Sequence, residues 1–167
     1  VHFLDLPFYE TGKIQKNPIS EADVEIVRNL LREIKPHQIF VAGDLADPHG
    51  KHRVCTDAVF AAVDLEKEEG AKWLKDCRIW RCRGAWAEWE IENIEMAVPI
   101  SPEELRAKRN SILKHQSQME SAPFLGNDER LFWQRSEDRN RGTATLYDQL
   151  GLASYEAMEA FVEYIPL

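Results

Sequence analysis

The densest run of chemistry-bearing side chains is Asp47-Pro48-His49-Gly50-Lys51-His52. Two imidazoles three residues apart, on a loop that leads into a helix, can point into one cleft. Neutral imidazole is a common zinc ligand, and the same spacing also suits a solvent-exposed pair. A catalytic zinc takes three protein ligands and keeps a fourth position open for water. His49 and His52 supply at most two, and Asp44, Asp47 and Cys55 complete no local pattern, so a zinc site here needs a partner from elsewhere. A second group is Lys114-His115-Gln116-Ser117-Gln118. His115 can cap a helix end, where a cation is favoured, or it can stand with Gln118 beside the same cleft. His2 and His37 read as exposed or strand-end residues. Trp80, Trp86, Trp89 and Trp133 fit a core, although Trp86 and Trp89 can also edge a sugar pocket. No GxGxxG run, Walker loop, nucleophile elbow or Ser-His-Asp order is present.

The first loop must be positioned by what flanks it. Residues 38–42 (QIFVA) form a short apolar run of β-formers ending at Gly43, and helical spacing of Cys55, Ala58, Val59, Ala62 and Val63 predicts a helix over 52–65. In an open parallel sheet, ligands gather at the carboxyl ends of strands, which is where this loop falls. Upstream, Val1 to Leu6 reads as a strand already under way. Ser20 with Asp23 starts a helix carrying Val24, Val27, Leu30, Leu31 and Ile34, and Pro36 stops it. Residues 77–83 read as a third strand and 85–98 as an edge strand. Ser101-Pro102-Glu103-Glu104 opens a helix expected to reach about Met119, with Leu105, Ile112, Leu113 and Met119 inward. A short helix is expected around residues 131–133, the alternating charges of 135–141 are expected to be solvated, and 154–164 is expected to be a final helix. Strand, helix, strand, helix, strand predicts parallel βαβ units.

The chain has 167 residues, 44% of them hydrophobic and 30% charged, which suits one globular domain over 1–167. Lys and Arg number 21 against 29 Asp and Glu, a net charge of −8. A field of that sign repels phosphate backbones and anionic lipids, which argues against nucleic acid and membrane surfaces as partners. Three cysteines make neither a disulfide framework nor a CxxC clip, so a reducing, cytoplasmic setting is expected.

Three features together resemble the LmbE/PIG-L family of zinc-dependent de-N-acetylases: Phe3-Leu4-Asp5-Leu6-Pro7, the Asp47 to Arg53 loop, and Lys108 followed by His115-Gln116-Ser117-Gln118. More narrowly, the pattern is similar to the deacetylase-like domain fused behind glucosamine-6-phosphate deaminase/isomerase-like domains in some bacterial proteins. The resemblance covers most of the chain up to about Gln118. It implies a Rossmann-like α/β three-layer sandwich with a mostly parallel sheet, of which this chain is the C-terminal portion with N-terminal strands missing. It implies His52 as a zinc ligand, His49 as the cleft histidine that assists catalysis, and His115 and Gln118 as substrate-binding residues. The family's other two ligands and its general-base Asp lie in a His-Pro-Asp-Asp run. That run is absent here and is expected upstream of Val1, which makes the upstream part of the polypeptide a partner.

The implied reaction is metal-assisted hydrolysis of the N-acetyl group of an amino sugar. Zinc lowers the pKa of a bound water, a carboxylate takes its proton, and His49 stabilises the oxyanion or protonates the leaving amine. This chain alone is then expected to be inactive. Lys51 stands where the family commonly has Asp, and a cation beside His49 disfavours imidazolium. That departure suits the alternative, a non-catalytic α/β scaffold or sugar-sensing domain attached to an amino-sugar-phosphate isomerase.

Overall fold

A computed structural model describes residues 1–9, 16–43, 50–85, 87–116 and 128–166, Lys51 by its backbone alone. They form α1 (Glu21–Ile34), β1 (Gln38–Ala42), α2 (Lys51–Glu68), β2 (Arg78–Cys82), β3 (Met96–Ile100), α3 (Pro102–Leu113), α4 (Phe132–Gln149) and β4 (Ala157–Tyr164). Short 3₁₀ turns occupy Lys72–Asp76 and Ile91–Asn93. The fold is mixed α/β, with the strands in the order β1-β2-β4-β3. Two compact units divide the chain: Val1–Arg81 with Glu163–Leu167, and Cys82–Val162.

In the first unit, α1 starts where the sequence predicts. The Asp23 carboxylate accepts from the backbone N–H and hydroxyl of Ser20 and, from outside the helix, from the Phe8 N–H at 2.8 Å. Those bonds satisfy donors that a helix start leaves open, and they tie the first segment to α1. The helix ends at Lys35 in the left-handed region (φ 48°), followed by Pro36. Val24, Val27 and Leu31 of α1 bury against Ala62 and Val63 of α2 and Ile79 of β2. The buried stripe of α2 differs by one position from the expectation. Thr56, not Cys55, faces inward, and its hydroxyl donates to the Ala42 carbonyl at 2.6 Å, fastening the helix to the end of β1.

The expected strand at residues 1–6 does not form. Leu4 and Leu6 still pack on the core, but Asp5 sits at φ 47°, which breaks an extended run. The Arg78 N–H donates to the His37 carbonyl at 2.9 Å, so β1 and β2 begin side by side, as parallel strands do. At the start of β2 the Arg78 guanidinium reaches Glu163, near the end of β4, at 3.0 Å. Strands that meet start to end run antiparallel.

In the second unit β3 and β4 are antiparallel, Met96 opposite Phe161 and Ile100 opposite Ala157. The sheet is therefore mostly antiparallel, and the expected mostly parallel sheet is corrected. The cause is the segment read as a final helix. It is instead the strand β4, whose ladder with β3 decides between two periods its composition allows equally. The expected edge strand exists as β3, but it begins at Met96, after a 3₁₀ turn. Helix α3 has the expected cap: the Ser101 hydroxyl accepts from the Glu104 N–H at 3.2 Å, and the Glu104 carboxylate accepts from the Ser101 N–H at 2.8 Å. It is shorter than expected and ends at Leu113; Leu105 is buried, Ile112 half-buried and Leu113 exposed, while Met119 lies outside the described residues. The short helix around 131–133 is the first turn of α4, 18 residues long.

Candidate functional site

His52 is the second residue of α2 and is exposed. The chain enters the helix through Gly50 at φ 64°, a left-handed backbone that a glycine adopts without strain. His49, the Lys51 side chain and Gln118 lie outside the described residues. His115 is exposed, two residues past α3, and belongs to the second unit, whereas His52 belongs to the first. Among the described residues no three His, Cys, Asp or Glu side chains come together as a metal site. The cysteines are free thiols, with Cys55 exposed and Cys77 and Cys82 half-buried.

The tryptophans divide by environment. Trp80 is buried core. Trp89 is covered by the Arg83 guanidinium, 3.9 Å from its ring centroid, and Trp133 by that of Arg109 at 4.6 Å. In each case the cation occupies one of the two ring faces on which a sugar could stack, and Trp86 lies outside the described residues.

The most organised chemistry in the second unit is a cluster the sequence did not announce. The expected solvated run 135–141 contains Ser136, Glu137, Arg139 and Asn140, all buried. Arg139 of α4 grips the Glu159 carboxylate of β4 and reaches Glu88 Oε2 at 2.6 Å. The Thr143 hydroxyl donates to the same Glu88 oxygen at 2.7 Å. Lys108 of α3 donates to Glu159 Oε2 at 2.5 Å and to Asn140 Oδ1 at 2.7 Å, and the Asn140 amide donates to the Met158 carbonyl at 2.8 Å. Glu88, Arg139, Glu159 and Lys108 thus alternate in sign and sum to zero.

Burial pushes the Glu159 carboxyl up, but Arg139 and Lys108 more than offset it and hold it below the usual glutamate value. Arg139 is likewise desolvated, and Glu159 and Glu88 raise its pKa. Burial raises the Cys82 thiol, and the Glu159 charge adds to the effect, which disfavours the thiolate. A buried charge survives only when paired. The sequence signal that could have exposed this cluster is slight, since each partner comes from a different element. Of its members, Lys108 alone belongs to a recognisable sequence pattern, as the first residue of the Lys to His115 pattern.

No known protein-family model matches the chain. It is 98% identical over 167 residues to a protein of Bacteroides thetaiotaomicron named as glucosamine-6-phosphate deaminase-like. The match takes in the whole of this chain and 25% of that protein, so the chain spans about a quarter of the relative's length. Among the described residues no helix is long and apolar enough to cross a membrane.

Proposed function

We propose that the chain is part of an LmbE-like N-deacetylase domain, within a larger polypeptide of amino-sugar metabolism, that removes acetate from an N-acetylated amino sugar of the N-acetylglucosamine type. The near-identity with part of a glucosamine-6-phosphate deaminase-like protein carries this reading, because that name belongs to amino-sugar chemistry. In this reading the domain is a Rossmann-like α/β unit completed by the upstream part of the polypeptide, and the setting is cytoplasmic.

The described residues do not make a zinc site by themselves. The proposed contribution of this chain is one imidazole, His52, presented at the start of α2. His49 is proposed to stabilise the oxyanion or to protonate the leaving amine, and His115 and Gln118 to bind the sugar.

The test is made on the full-length polypeptide. Zinc content by elemental analysis and acetate release from N-acetylglucosamine 6-phosphate are measured with and without His52→Ala. Stoichiometric zinc and acetate release, both lost in the variant, support the reading. A full-length protein that binds no zinc and releases no acetate sinks it, and leaves a non-catalytic scaffold or sugar-sensing domain in its place.

A further inference from the structure

His115 is presented by α3, and α3 has a weak apolar hold on its unit: Leu105 is buried, whereas Ile112 is half-buried and Leu113 exposed. Polar contacts supply much of the rest. Arg109 donates to both oxygens of Glu137 at 2.9 and 2.6 Å, which joins α3 to α4. Lys108 donates to Glu159 and Asn140, which joins α3 to β4 and α4. Glu159 is itself fixed by Arg139, whose side chain is 4% exposed. The ammonium of Lys108 is therefore seated on two acceptors that are themselves hydrogen-bonded, and the charges of Glu88, Arg139, Glu159 and Lys108 cancel.

Beyond Leu113 the chain leaves α3 in a hydrogen-bonded turn. The Lys114 N–H donates to the Ser111 carbonyl at 3.2 Å, and the His115 N–H to the Ile112 carbonyl at 3.0 Å. Lys108 lies in the second half of α3, and His115 follows two residues after the helix's last residue, tied back to it by that turn. The point at which the Lys108 ammonium is held therefore sets the rotation of α3 about its axis, and with it the direction in which His115 leaves the helix end.

We propose that Lys108 is a positioning residue: its seat on Glu159 and Asn140 fixes the helix that presents His115 to an acetamido sugar. The role of His115 rests on the deacetylase reading, whereas the seating of α3 does not. The same geometry gives a physical reason for a lysine at this position of α3. Its long stem spans from the helix to a carboxylate on the neighbouring strand, while its charge balances that carboxylate.

The experiment uses the full-length polypeptide carrying Lys108→Met, which keeps the stem and removes the ammonium, and Lys108→Arg, which restores charge and donors. Amide hydrogen exchange over residues 109–116 is compared with that of α1, and kcat and KM are measured separately for acetate release. In Lys108→Met, exchange over 109–116 is expected to quicken about tenfold with α1 unchanged. Its kcat is expected to fall about tenfold, because small misplacements of a positioned group are costly. Lys108→Arg is expected to recover most of both. Unchanged exchange in Lys108→Met overturns the proposal, and so does quickened exchange with kcat intact. If the wild-type polypeptide releases no acetate, the deacetylase reading falls, and the exchange data alone decide whether Lys108 seats the helix.

Discussion

Arg28 Nε of α1 lies 2.6 Å from Glu66 Oε1 of α2, with side chains 9% and 4% exposed. Arg32 donates to the same oxygen at 2.7 Å, so one buried carboxylate holds two turns of the neighbouring helix. Removing the carboxylate leaves Arg28 only its more exposed partners, Glu69 and Glu25. The cost therefore falls below that of a fully stranded buried charge and nearer that of losing one buried hydrogen-bond partner, about 1–3 kcal/mol. Glu66→Ala is therefore expected to destabilise the protein by about that amount in urea denaturation, and Glu66→Gln, which keeps an acceptor, by less. A loss under about 1 kcal/mol in Glu66→Ala would show that the pair does not hold the helices together.

Three carboxyls, those of buried Asp23 and Glu137 and of half-buried Glu159, give the protein an acid limit. Asp23, Glu137 and Glu159 are all pushed up by burial, yet all end below their ordinary values: Asp23 through hydrogen bonds from Ser20 and Phe8, Glu137 through Arg109 and Arg141, and Glu159 through Arg139 and Lys108. A carboxyl whose folded pKa is depressed stabilises the fold above its unfolded value, about 3.9 for Asp and 4.3 for Glu. That stabilisation is lost as pH falls through the depressed folded values. Thermal midpoints are expected to be flat near neutrality and to drop steeply below about pH 4. In Glu159→Gln the midpoint at pH 7 should be lower and the acid slope shallower. A slope identical to wild type would remove Glu159 from this account.

Where a pattern is local, the sequence and the structure agree. The limits of α1 follow from Ser20, Asp23 and Pro36, and β1 covers residues 38–42 as expected, because caps, stops and apolar runs act within a few residues. The elements that escaped are those settled at long range. Arg139 looks solvated among alternating charges, but its partners Glu88 and Glu159 lie 51 and 20 residues away. The segment from Ala157 to Tyr164 carries Met158 and Phe161 at helical spacing and also alternates as a strand does; pairing with β3 selects the second. Of the candidate site, His52 and His115 were legible as surface histidines flanking helices. The cluster that seats α3 was not, because each carboxylate found its cation on another element.

Tyr164 of β4 stacks on Phe60 of α2 with centroids 3.6 Å apart, and its hydroxyl donates to Asp64 Oδ2 at 3.0 Å. Burial, then the hydrogen bond and charge of Asp64, pushes the phenol up to about 12. The tyrosinate absorbance difference between wild type and Tyr164→Phe should therefore rise near pH 12. Asp64→Asn removes the charge and should bring that step back toward the ordinary value of about 10. A step already near 10 in the wild-type protein would mean that the Asp64 bond does not persist in solution.

Metal removal supplies a test of the proposed role of His52 that needs no substrate. A ligand that binds only the folded state stabilises it by RT ln(1 + [L]/Kd), about 2.7 kcal/mol at a hundredfold excess over Kd. If His52 is a ligand in the full-length polypeptide, zinc at that excess should raise the thermal midpoint over a chelator-treated sample by several degrees. His52→Ala removes one imidazole, so the zinc-dependent rise should shrink or vanish. The chelated midpoint should scarcely move, because His52 is exposed and surface substitutions of this kind usually stay within about 0.5 kcal/mol. His115→Ala serves as the control: it too is exposed, but it is proposed to bind sugar and not metal, so its zinc-dependent rise should match wild type. Equal rises in wild type and His52→Ala would place the zinc ligands elsewhere in the polypeptide, whatever the acetate assay reports.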